Sequence, residues 1–194
     1  SQENKCSREI YPYPTDWFKG KSLVFISRNL DNWIRYKCKK NGYKKLAFVT
    51  HSMGGLVVKK FLVNQFFQKQ PIDRFVKEVT FIATPHNGAV GAKLLKVVPG
   101  INTDQVNELA SGSPFLVDLS DQWSAWVERF VPDSSRFGCI FGTDDEVVDP
   151  TNISEKDFDP VYILGAKHVD IVKPKTHDDE VVTTVLRFLE DAGF

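Results

Sequence analysis

At 194 residues and 22.0 kDa the chain is the size of one ordinary domain. Hydrophobic residues make up 42% and charged residues 26%, and no apolar run approaches the roughly 20 residues needed to span a bilayer, so intrinsic disorder and a membrane-spanning helix are excluded. Twenty-five Lys and Arg cancel twenty-five Asp and Glu, which removes the basic footprint of a nucleic-acid binder.

The opening, SQENKCSREI, lacks the basic-then-apolar pattern of a secretory signal, which favours a cytoplasmic setting and leaves secretion open if a leader was removed. Cys6, Cys38 and Cys139 are odd in number, widely spaced and without a CxxC pair, so neither a disulfide framework nor a metal site is expected, only buried free thiols. Ile10 to Pro14 reads as a short strand entering a loop. Leu23, Ile26, Leu30, Trp33, Ile34 and Cys38 recur at three and four residues, predicting a helix from about Ser22 to Lys40 stopped by Asn41-Gly42; Leu23 to Ile26 alone would also read as a buried strand.

Lys45 to Thr50 reads as a buried strand and runs, with no linker, into a helix extending from about Gly54 to Gln70. Glu78 to Ala83 is the next strand, followed by the loop Thr84-Pro85-His86-Asn87-Gly88. Ala89 to Phe130 is helical and aromatic, carrying Leu109, Leu116, Leu119, Trp123 and Trp126. It is too long for a simple connection, which predicts a small helical cap insertion over about 89–130. Phe137 to Phe141 and Val161 to Leu164 are strands ending at glycines, and Asp178 to Glu190 closes the chain as an amphipathic helix. Strands alternating with helices predict an α/β fold, a single domain over 1–194 with a mostly parallel sheet covered on both faces.

The chemistry is concentrated at Val49-Thr50-His51-Ser52-Met53-Gly54-Gly55. A strand entering a helix through a hydroxyl residue followed by glycines has the form of a nucleophile elbow, in which a tight, strained turn lifts the hydroxyl above the sheet. Gly54 is expected to be the position where helix and strand approach closely, and the Met53 amide is expected to face an oxyanion at the helix N-terminus. A serine needs a base and an acid that orients the base. Asp144, Asp145 and Glu146 lie just beyond one later strand, with Asp149 nearby, and His168 lies beyond the next, giving the order serine, acid, histidine.

These stretches, THSMGGLVVKKFL, FIATPHNGA, FGTDDEVVD and LGAKHVDIVKP, resemble the α/β-hydrolase superfamily and within it the lipase-like serine esterases. The resemblance covers about Leu46 to the C-terminus. It implies Ser52 as nucleophile, Asp145 as acid by its register between Gly142 and Val148, and His168 as base. It departs at Thr50, where glycine is usual, and upstream, where no His-Gly pair occurs to supply a second oxyanion amide. The N-terminal part of the fold is therefore expected to be short or missing, with another segment or chain completing the sheet.

The resemblance implies a serine hydrolase cleaving carboxylic esters of hydrophobic acyl chains, with no cofactor and no metal. Thioesterase or acyltransferase chemistry would use the same triad, and the rival class is a hydrolase-fold binding module or an incomplete fragment with weak or no catalysis. His86, Leu116 and Trp123 are the expected substrate contacts. His51 is expected to pack away from the reactive face, His177 to be exposed, and the pairs Lys39-Lys40, Lys44-Lys45 and Lys59-Lys60 to be solvated.

Overall fold

The computed structural model describes residues 6–11, 21–65, 73–89, 91–97, 101, 103–130, 137–149 and 160–194. The predicted strand at Ile10 to Pro14 begins at Ile10 and Tyr11 in irregular backbone; its remainder lies outside the described residues.

The first helix, α1, spans Leu23–Asn41. The Ser22 side chain caps it by accepting from the Phe25 amide, and Gly42, at φ 73, ends it in the left-handed conformation that a side chain would resist. Leu23, Ile26, Leu30 and Ile34 form its buried stripe, so the helical periodicity prevails over the local strand-like run. Strand β1 covers Leu46–His51 and α2 follows directly over Met53–Gln65; the expected continuation to Gln70 lies outside the described residues. Strand β2 is Val76–Ile82, then come α3 (Gly91–Val97), α4 (Thr103–Glu108) and α5 (Pro114–Phe130). Strands β3 (Phe137–Gly142) and β4 (Pro160–Ile163) and the closing helix α6 (Glu180–Asp191) complete the order.

The four strands lie side by side in the order β1-β2-β3-β4, and every pair is parallel. Alternation along the strands sends Val79 and Phe81 of β2 and Phe137, Cys139 and Phe141 of β3 into one core with α1, α2 and α5. Ile82 and Ile140 face the other side, with Val181, Val185 and Phe188 of α6. The sheet is thus covered on both faces, as a parallel sheet requires. Its C-terminal edge, where β1, β3 and β4 end, gathers the chemistry.

The stretch expected to be a cap is not one throughout. Trp123 stacks on Trp126, with ring centroids 5.1 Å apart, and packs edge-on to Phe81 at 6.1 Å, which places α5 in the layer beside α2. Large aromatic rings contribute most where their area is buried in a core. Lys59 and Lys60 are also corrected, since both are buried. The Lys59 ammonium sits 4.7 Å from the centre of the Trp123 ring, and Lys60 donates to the Gln122 side chain at 2.9 Å. Among the thiols only Cys139 is buried; Cys6 is exposed and Cys38 is half-buried.

Candidate active site

β1 delivers Ser52 on a strained turn. Its φ is 52, and such a left-handed conformation costs a non-glycine residue about 1–2 kcal/mol. Hydrogen bonds on both sides impose it: the Ser52 amide donates to the Ile82 carbonyl at 2.9 Å, and the Ser52 carbonyl accepts from the Gly55 amide at 3.0 Å. Ala83, at the end of β2, is strained in the same sense at φ 48 and is anchored to the Ile140 carbonyl at 2.8 Å.

The close approach behind this turn is at Gly55, not at Gly54 as the sequence suggested. A Cβ on Gly55 would lie inside the side chain of Thr84, whereas one on Gly54 would meet nothing within 4 Å. Gly55 is on the side of α2 that faces the loop just beyond β2, and Gly54 is not. The Met53 amide opens the 13-residue α2, in the first turn where amides have no partner within the helix and the helix dipole favours negative charge.

Asp145 follows β3 and His168 follows β4. Their loops interlock: the Asp144 amide donates to the Ala166 carbonyl at 3.1 Å and the Gly165 amide to the Thr143 hydroxyl at 2.8 Å. Gly142 leaves the room for this, because a Cβ there would strike the Ala166 carbonyl. One carboxylate oxygen of Asp145 accepts from the amides of Val147 and Val148 at 2.8 and 2.9 Å. The other meets His168 Nδ1 at 2.8 Å, and His168 Nε2 lies 2.9 Å from Ser52 Oγ. Burial opposes ionisation of Asp145, yet the imidazole and the two amides outweigh it and hold the carboxyl below its ordinary value. An ionised carboxylate only accepts, so His168 carries its proton on Nδ1. Its Nε2 lone pair is left to accept the hydrogen bond from the Ser52 hydroxyl. Asp144, the nearest competitor, bonds instead with the Thr143 hydroxyl at 3.2 Å.

The expected substrate contacts fall elsewhere. His86 is buried, with its ring 5.1 Å from that of Phe81 and its Nε2 3.8 Å from Cys139 Sγ, and burial, with Lys59 nearby, drives its pKa far down. Leu116 and Trp123 belong to the α5 core, with Trp123 only 1% exposed. None of the three is brought to an open surface at Ser52. Conversely, His51 does not point away: its Nε2 lies 2.8 Å from the His168 carbonyl. Its partner is 117 positions away and carries no local signal, so reasoning from the sequence missed this bond. His177 is exposed, as expected.

A parallel sheet, a strained serine at a strand-to-helix turn, and an acid and a histidine at later strand ends define an α/β-hydrolase. Within that class the sequence matches the family described as "Putative serine esterase (DUF676)" over residues 20–116, and the chain belongs to this family. It is similar to the protein SERAC1 of Mus musculus, 26% identical over 197 residues that take in 90% of this chain and 29% of that protein. The chain thus spans less than a third of the length of the curated relatives of that name. Among solved structures, the mature lipase BlEst2 of Bacillus licheniformis aligns with 90% of this chain and 76% of its own, at a TM-score of 0.64 and 16% identity. The phospholipase PlaB of Legionella pneumophila aligns with 90% of this chain and 50% of its own, at 0.66 and 17%. At these identities the likeness is one of fold.

Proposed function

We propose that the chain hydrolyses carboxylic esters by acyl transfer to Ser52, and the continuous relay from Asp145 through His168 to Ser52 Oγ carries this reading. His168 Nε2 takes the hydroxyl proton as Oγ attacks the ester carbonyl, and Asp145 holds the resulting imidazolium. The Met53 amide receives the oxyanion. His168 then returns the proton to the departing alcohol, and water releases the acid by the same steps in reverse.

A hydrophobic acyl ester is the favoured substrate, in keeping with lipase and phospholipase relatives of the same fold. We treat 1–194 as a single domain. The outer edge of β1 is unpaired among the described residues, and there another segment or chain would extend the sheet and supply a second oxyanion donor.

The test is hydrolysis of p-nitrophenyl esters of increasing acyl length by wild type and Ser52→Ala, with fluorophosphonate labelling mapped by mass spectrometry. Turnover and label should both vanish in the variant, at least a thousandfold below wild type. A folded wild type that takes no label and turns nothing over would overturn this reading in favour of a hydrolase-fold binding module.

A further inference from the structure

The main chain of the loop that carries His168 is hydrogen-bonded to neighbouring segments at three points. Two come from the acid loop, through Thr143 and Asp144, and fix Gly165 and Ala166. The third reaches the backbone of the histidine itself: His51 Nε2, on the strand that also delivers Ser52, lies 2.8 Å from the His168 carbonyl. A carbonyl only accepts, so Nε2 of His51 carries a proton and donates it. The two rings lie 5.0 Å apart between centroids, tilted by 42°.

We infer that His51 is the positioning residue that sets the separation between the base and the nucleophile. His51 and Ser52 are consecutive, so this bond ties the backbone of the base directly to the turn holding the hydroxyl. No other hydrogen bond described here joins the His168 main chain to β1. Without it, the main-chain hydrogen bonds of the base loop to other segments run only to the acid loop, and the Ser52 Oγ to His168 Nε2 distance follows the flexing of β3 against β1, with β2 between them. Burial keeps His51 largely neutral, although the His168 carbonyl favours its protonated form, so the donor adds little positive charge beside an imidazole that must itself become cationic. Of the titratable groups, His168 and Asp145 act on it; its partner on β2 is Ile82.

The inference rests on Ser52 and His168 acting as proposed, and two variants with two readouts separate the ideas. His51→Gln places an amide donor near the Nε2 position; His51→Phe keeps the ring shape and removes the donor. Fluorophosphonate labelling of Ser52 and kcat for p-nitrophenyl butyrate should fall about 10- to 100-fold in His51→Phe, with KM within about twofold. His51→Gln should recover to within a few-fold of wild type, both variants melting within a few degrees of it. Independently of turnover, imidazole 15N spectra should place the His51 proton on Nε2 in wild type. The hydrogen-bonded Nδ1 proton of His168 should persist in His51→Gln and broaden or exchange in His51→Phe. Equal rates in all three proteins, equal losses in both variants, or a wild-type His51 proton on Nδ1 would overturn the inference. A wild type that carries no label overturns the esterase reading instead, and the spectra still decide what His51 does.

Discussion

Two buried carboxylates, one on the sheet and one just beyond its rim, have been pushed in opposite directions. Asp145, at the C-terminal rim, accepts two amides and an imidazole and lies below its ordinary pKa despite burial. Glu78 lies on β2 on the face covered by α6 and is 3% exposed. It accepts the Gly138 amide and the Thr80 hydroxyl, both at 3.1 Å. There burial dominates, the two bonds do not compensate, the nearby Asp191 adds repulsion, and the carboxyl is pushed up to about 7. Depth is shared; what differs is how many full donors converge on the oxygens and whether a cation can form alongside. The rim keeps a charge that chemistry can use, whereas the α6 face tends to neutralise one.

Replacing Asp145 should break this contrast most severely. Asp145→Asn removes the acceptor that fixes the His168 tautomer and should lower kcat by about 10³- to 10⁴-fold, while Asp144→Asn should stay within about twofold, as ester hydrolysis will report. An equal loss in both would mean that the rim acts through its summed charge.

Glu78 has a pH signature of the opposite sign to that of Asp145. Its folded pKa is raised, so its contribution is fully present below the ordinary value of 4.5 and is lost as pH rises through about 7. At about 1.4 kcal/mol per unit, the loss is on the order of 3 kcal/mol. Urea unfolding should show wild type weakening over this interval and Glu78→Gln nearly flat. Asp145, whose folded pKa is depressed, gives stability that is present above its unfolded value and lost as pH falls through the folded one. Acid titration of Asp145→Asn should therefore show a shallower loss at low pH.

The smallest effects compare three glycines. Gly55→Ala drives a methyl into Thr84 beneath the strained turn and should destabilise by about 1–3 kcal/mol. Gly138→Ala meets the ring of Phe188, a half-buried residue of α6 that can rotate away, and should cost less. Gly54→Ala, with open space around it, should be neutral or gain about 0.5–1 kcal/mol from helix propensity. Thermal melts of the three variants give the ranking.

The elements and the elbow were legible in the sequence because their signals are local: the spacing of Leu23, Ile26 and Leu30, the stop at Asn41-Gly42, and a serine between a strand and two glycines. The order of Ser52, Asp145 and His168 was legible because each follows a strand. What escaped depends on layers meeting across the chain. Gly55 rather than Gly54 is the packed glycine because of where Thr84 of the next unit falls. Lys59 looks like a surface residue until Trp123, 64 positions later, supplies an aromatic face. His51 reads as packing until the backbone of His168 arrives beside it.

The outer side of β1, unpaired among the described residues, bears on how two copies of this chain would meet. Among the described residues nothing pairs there, the strand reads LAFVTH, and Val49 is half exposed; a strand edge left bare can template another strand. Lys44 and Lys45, both exposed, stand at its entrance and place two like charges where a second copy would begin to align in parallel. That guard is electrostatic and has a reach of about 8 Å at physiological ionic strength, shrinking to about 3 Å in molar salt. Where that edge stands bare, its tolerance for its own kind is set as much by the surrounding electrolyte as by the fold.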